Sequence, residues 1–228
     1  MGRKPDYPLT NTGVLMGFIR KNGGRTGKRQ CMDYLQMLKL PSKNINGLLS
    51  MSSNRNLLFY GDDEYIMTEQ VIRVEMWLEN FRHEVNKLFL YSLYVIPREI
   101  EQGWFELLPG LTGGLSWNLL LFQDLIKKHL PEYRLITANE DQGLDTIRAG
   151  IVPEQSTIED FANLVYAKLL EDTCIKLPVR MNTEDFRKKL IEYKMIQGNE
   201  LIYAMPKALH DSKYAWADDG KSVLILQK

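Results

Sequence analysis

The sequence predicts an α+β chain, predominantly α: a basic head of three short helices and a hairpin, then a helical body, then a C-terminal helix followed by a second hairpin. Charge distribution, helical periodicity and the placement of turn residues carry that reading. With 228 residues, 44% of them hydrophobic and 25% charged, the chain can bury one substantial core or two small ones. Its formal net charge of zero conceals a segregation. Residues 1–56 hold ten lysines and arginines against Asp6 and Asp33, ten minus two giving +8, so the remainder carries −8. A basic head on an acidic body suits a protein that neutralises phosphates at one end.

In the head, Thr10 precedes Val14, Leu15, Phe18 and Ile19, which fall on one helical face that Gly23-Gly24 ends. A second helix runs from Lys28 to Leu38 with Cys31, Tyr34, Leu35 and Leu38 along one stripe, and Leu40-Pro41 stops it. Ser42 caps a third helix from Lys43 to about Ser52, with Ile45, Leu48 and Leu49 inward and Lys43, Asn44, Asn46 and Ser50 outward. Two strands, Leu57–Tyr60 and Tyr65–Thr68, then flank the turn Gly61-Asp62-Asp63-Glu64.

This order of elements resembles the winged-helix superfamily over the first third of the chain. The resemblance implies that the third helix enters a DNA major groove, so that Lys43, Asn44, Asn46 and Ser50 meet base edges, asparagine suiting adenine and lysine guanine. It implies that Arg25, Lys28, Arg29, Lys39 and Arg55 hold phosphates. One feature departs from the DNA-binding pattern: the wing tip is Asp62-Asp63-Glu64, where a basic residue is expected. Winged helices that dock proteins are the competing reading.

Glu69 to Tyr94 reads as one long amphipathic helix carrying Val71, Val74, Trp77, Leu78, Phe81 and Val85, a stripe fit for a monomer core or a homodimer. Pro97, Gly103, Pro109, Gly110, Gly113 and Gly114 mark a hinge. Ser116 caps a helix from Trp117 to Leu130, and Arg134–Thr137 reads as a short strand. Ser156-Thr157-Ile158-Glu159 has capping-box spacing before a helix through Phe161 and Leu169, and Thr183–Ile196 is another helix capped by Asn182 or Thr183. A hairpin joins Tyr214–Ala217 to Ser222–Gln227 through Asp218-Asp219-Gly220-Lys221. Helix then hairpin resembles the head, so the C-terminus is a candidate second winged-helix-like unit. The expected division is a basic module at 1–68, a connecting helix and hinge at 69–114, and an acidic body at 115–228.

Catalytic constellations are not found in the sequence. Gly23 to Arg29 imitates a phosphate loop, but the glycine spacing is one short and Arg29 stands at the Ser/Thr position, so it reads as a basic interhelical loop. His83, His129, His210, Cys31 and Cys174 have no metal-ligand spacing, and neither a cofactor nor an enzymatic activity is expected. No apolar run is long enough to span a bilayer, and the basic N-terminus runs into prolines rather than an apolar segment. Two distant cysteines point to a reducing cytoplasm. Two functions are expected: a DNA-binding regulator or DNA-associated factor, or a non-catalytic accessory subunit of a DNA-processing or defence complex. In the second, Trp77, Trp104, Phe105 and Trp117 supply the protein-docking surface.

Overall fold

A computed structural model describes residues 10–41, 45, 49, 55–139, 146–198 and 200–228. The chain is a mixture of helices and small antiparallel sheets. Contacts divide it into two compact units: residues 1–81 with 108–129, and residues 82–107 with 130–228. Among the described residues no helix is long and apolar enough to cross a membrane.

The first unit opens with α1 (Asn11–Lys21), whose N-cap Thr10 accepts a hydrogen bond from the Gly13 amide at 3.1 Å and which buries Leu15, Met16 and Ile19. Gly23 and Gly24, both at positive φ, turn the chain into β1 (Arg25–Gly27), which leads directly into α2 (Lys28–Met37). Cys31 and Leu35 of α2 are fully buried, whereas Leu38 is 42% exposed. Ile45 and Leu49 are helical and buried, four residues apart as one helix face requires; the rest of the expected Lys43–Ser52 helix lies outside the described residues. β2 (Leu57–Gly61) and β3 (Glu64–Met67) form the expected hairpin around Asp62-Asp63, both at positive φ. The strands make one sheet in the order β1-β3-β2.

The single long helix expected over 69–94 is interrupted. α3 (Thr68–Val71) stops, and α4 (Glu75–Leu88) begins after a break at Ile72–Val74. The Thr112 hydroxyl donates to the Gln70 carbonyl at 2.7 Å, taking an acceptor that a continuous helix would use, and β-branched Val71, Ile72 and Val74 resist the helix. The boundary between the two units falls within α4, between Phe81 and Arg82.

α5 (Leu119–His129) completes the first unit, with Asn118 rather than Ser116 accepting from the Leu121 amide at its start. It closes the outer edge of β2 with side chains. Asp124 Oδ2 accepts from the Phe59 amide at 2.8 Å, and Lys128 Nζ donates both to the Leu57 carbonyl at 2.6 Å and to Asp124 at 2.7 Å. The Asn118 amide adds a bond to the Tyr60 carbonyl. A row of backbone groups that would invite another strand is thereby paired inside the unit. At the end of α5, burial, helped by the nearby Arg55 and Lys128 charges, holds the His129 imidazole below its ordinary pKa.

The second unit contains the antiparallel pair β4 (Tyr133–Ile136) and β5 (Gly150–Pro153), with Val95 bridging to Ile151. Then come α6 (Phe161–Glu171), β6 (Val179–Asn182), α7 (Thr183–Glu192), α8 (Met205–Ala208), β7 (Tyr214–Trp216) and β8 (Ser222–Ile225). Asp160, not Ser156, caps α6, and Asn182 caps α7 by accepting from the Asp185 amide at 2.8 Å. Phe161, Leu164, Val165, Phe186, Leu190 and Ile225 pack in one core. The last three strands have the order β6-β8-β7. Helix, strand, helix and a closing hairpin recur in the two units, as α1, β1, α2 with β2–β3 and as α6, β6, α7 with β7–β8, and β1 pairs with β3 as β6 pairs with β8.

Candidate nucleic-acid interface

The cations proposed from the sequence to hold phosphates do not form one surface. Arg25, Lys28 and Arg29 cluster where β1 runs into α2. Lys39 follows the other end of α2, roughly 15 Å along the helix axis at 1.5 Å per residue. Arg55 lies just before β2, exposed. The four residues proposed to meet base edges, Lys43, Asn44, Asn46 and Ser50, lie outside the described residues.

The β1–α2 cluster faces the turn between β2 and β3. Register places Gly27 opposite Glu64, and the Lys28 amide donates to the Asp63 carbonyl at 2.8 Å. The Arg25 guanidinium pairs with the Glu64 carboxylate and lies over the Tyr60 ring at 5.1 Å. Lys28 Nζ is 3.9 Å from an Asp63 oxygen, and further along the unit Arg20 pairs with Glu69 at 3.3 Å. Two of the three carboxylates that depart from the DNA-binding pattern, Asp63 and Glu64, are therefore partners of the cations themselves. Their presence also reduces the charge asymmetry. The first unit holds thirteen lysines and arginines against nine acids, a net +4, which leaves −4 for the second.

The start of α2 is built unlike that of its counterpart α7. No side chain caps it, its first turn holds no acid, and Lys28 and Arg29 stand there against the positive end of the helix dipole. Gln30 Oε1 accepts from the Gly27 amide at 3.1 Å and from the Thr26 hydroxyl at 2.9 Å, which ties the strand end to the helix without adding negative charge. Arg29 is exposed. Two of the first amides are already paired, Gly27 with Gln30 and Lys28 with Asp63, so what this helix start offers an anion is the positive end of the dipole and the Lys28 and Arg29 charges.

The sequence reading missed β1 and took Gly23–Arg29 for an interhelical loop. Arg25-Thr26-Gly27 carries no apolar alternation, and the strand exists because β3 pairs with it. The aromatic residues proposed as a docking surface are placed otherwise than expected. Trp77 is buried, stacked on Phe81 at 5.7 Å and Trp117 at 5.9 Å, with its indole nitrogen donating to the Gly110 carbonyl at 3.1 Å. Trp117 is half-buried in the same stack and donates to the Pro109 carbonyl. Phe105 is buried in the second unit, and Trp104 is half-buried there. Trp77 and Trp117 serve the first unit's core, each burying apolar area while its indole nitrogen finds a backbone acceptor.

Among the described residues no group of three or more His, Cys, Asp or Glu is placed to hold a metal ion. The acids of α7 form ordinary helix pairs, Lys189 with Glu192 at 3.0 Å and Lys188 with Asp185 at 3.6 Å. The chain matches no protein-family profile and no curated protein sequence.

Proposed function

We propose that the chain is a non-catalytic binding protein built on two winged-helix units, the first of which docks on duplex DNA. The observation that carries this reading is the acid-free, cationic start of α2, where Lys28 and Arg29 sit against the helix dipole and Arg25 precedes them on β1. Such an arrangement costs the free protein stability and is favourable once an anion occupies it. The strand order β1-β3-β2, following helix, strand, helix, supports the winged-helix reading. In this reading Arg25, Lys28 and Arg29 take backbone phosphates, and Lys43, Asn44, Asn46 and Ser50 approach base edges. The pairs with Glu64 and Asp63 do not block it, because partly exposed ion pairs contribute only about 0–1 kcal/mol and a phosphate can compete for the same cations.

Fluorescence anisotropy of a labelled duplex against the intact chain tests this. Three phosphate contacts give a slope of log affinity against log salt of about −3. Lys28→Glu with Arg29→Glu should abolish binding at low salt while the circular dichroism spectrum is retained. No binding of the folded wild-type chain at low salt, or binding indifferent to the double substitution, overturns the reading.

A second reading has its own support. Arg25–Glu64 and Lys28–Asp63 make the wing region electrically self-compensated, as suits an accessory subunit that docks protein. It requires stoichiometric partners in affinity isolation of the full chain from its native cell, retained by the Lys28→Glu, Arg29→Glu variant.

A further inference from the structure

The second unit leaves large apolar side chains in solvent where the chain leaves α4. Leu90, Tyr91 and Leu93 are 66%, 99% and 72% exposed. They flank Ser92 and Tyr94, which line a groove of about 460 Å3 together with Ile100, Trp104, Lys168 and Glu171. Its base is held rigidly: the buried Tyr94 hydroxyl donates to Glu171 at 2.5 Å, and the Ser92 hydroxyl donates to the Tyr94 carbonyl at 2.5 Å. The rim is negative. Glu99, Glu101 and Glu171 stand against Lys168 alone, a net −2, and Lys168 is already bonded to Glu99 at 3.1 Å.

We propose that this groove docks an amphipathic helix of another protein, with apolar anchors on one face and lysines or arginines flanking them. Apolar side chains left in water beside a concave surface mark an interaction site, and helix-in-groove recognition uses such anchors. The rim decides which helix. Three carboxylates reject an acidic segment and steer a basic one. They also repel an anionic membrane surface. A symmetric dimer through the groove would bring two negative rims together, so a second copy is a poor occupant. The groove is lined by residues of the second unit alone and stands whether or not the first unit binds DNA.

The test uses the full chain and two synthetic amphipathic helical peptides, one of leucine and lysine, the other of leucine and glutamate. The leucine–lysine peptide shifts the fluorescence of Trp104, and the shift disappears in Trp104→Phe. Its affinity falls at least about tenfold in Leu93→Ala and in Glu101→Lys, both exposed positions. The leucine–glutamate peptide gives no Trp104 response. Three results overturn the proposal: peptide binding indifferent to Leu93 and Glu101, co-sedimentation with neutral phosphatidylcholine vesicles in place of peptide binding, or a peptide-free dimer that Leu93→Ala dissociates.

Discussion

In the first unit the amide that opens α2, that of Lys28, donates to the carbonyl of Asp63, the residue just before β3. In the second the amide that opens α7, that of Thr183, donates to the carbonyl of Lys221, the residue just before β8. The strand registers agree as well, Gly27 opposite Glu64 and Asn182 opposite Ser222. On this common frame the two helix starts carry opposite chemistry. α7 has an Asn182 cap and Glu184 and Asp185 in its first turn, which satisfies amides and complements the dipole. α2 has Gly27, Lys28 and Arg29. The same backbone junction forms in both cases, so it does not depend on the sign of the charge placed on it. The first unit thus lacks the acids that complement the helix dipole in the second.

A second contrast concerns the outer strand of each sheet. β2 is closed by α5 through the buried Asp124–Lys128 pair, whereas among the described residues no helix is bonded in this way to β7. The first unit therefore depends on one ion pair with side chains only 4% and 1% exposed. Removing one partner strands a buried charge, at a cost of about 3–5 kcal/mol. Lys128→Met should therefore lower the urea midpoint of the first unit, read from Trp77 and Trp117, while the transition of the second, read from Trp216, stays in place. A common shift of both transitions would show that the two units unfold as one and would break the comparison.

How much of this could be read from the sequence follows from the range of the interactions. The α1, α2 and α7 stripes, and the hairpin turns at Asp62-Asp63 and Asp218–Lys221, are local patterns and the structure has them. Asp124 and Lys128 stand four residues apart in sequence, but their burial under β2 depends on a strand more than sixty residues earlier. β1 and β6 were missed for different reasons. Arg25-Thr26-Gly27 has no alternation to find, whereas Val179-Arg180-Met181-Asn182 alternates over only four residues. The grouping of α5 with the first unit, rather than with a body at 115–228, follows from these same nonlocal bonds. Within the candidate site, residue types were legible. Their pairing with the carboxylates of the β2–β3 turn was not, because register across β1 and β3 sets it.

The turn ahead of β1 offers a sharper probe of the first unit. Gly24 has φ +79°, its carbonyl accepts from the Met67 amide at 2.7 Å, and an added Cβ would lie 2.7 Å from Gln70 Cγ. Gly24→Ala pays about 1–2 kcal/mol for the left-handed backbone and more for displacing Gln70. Gly220, in the second unit's hairpin, has φ +66° and meets nothing nearer than Pro206 Cγ at 3.7 Å, so Gly220→Ala carries the backbone term alone. Thermal or urea unfolding of the two variants should show Gly24→Ala the more destabilised. Equal losses would mean that Gln70 moves aside freely.

The smallest expected effect bears most directly on function. If the start of α2 is kept cationic for an anion, reversing one charge there should help the fold and harm binding. Arg29→Glu puts an acid at the dipole's positive end and should stabilise the first unit by about 0.3–1 kcal/mol, while weakening duplex binding several-fold at low salt. The reciprocal change at the equivalent position, Glu184→Arg, also removes the Glu184–Arg187 pair and should destabilise the second unit by a similar amount without touching DNA affinity. Paired measurements separate the causes, because a structural role for Arg29 would lower stability and binding together, whereas a charge held in readiness for phosphate moves them in opposite directions.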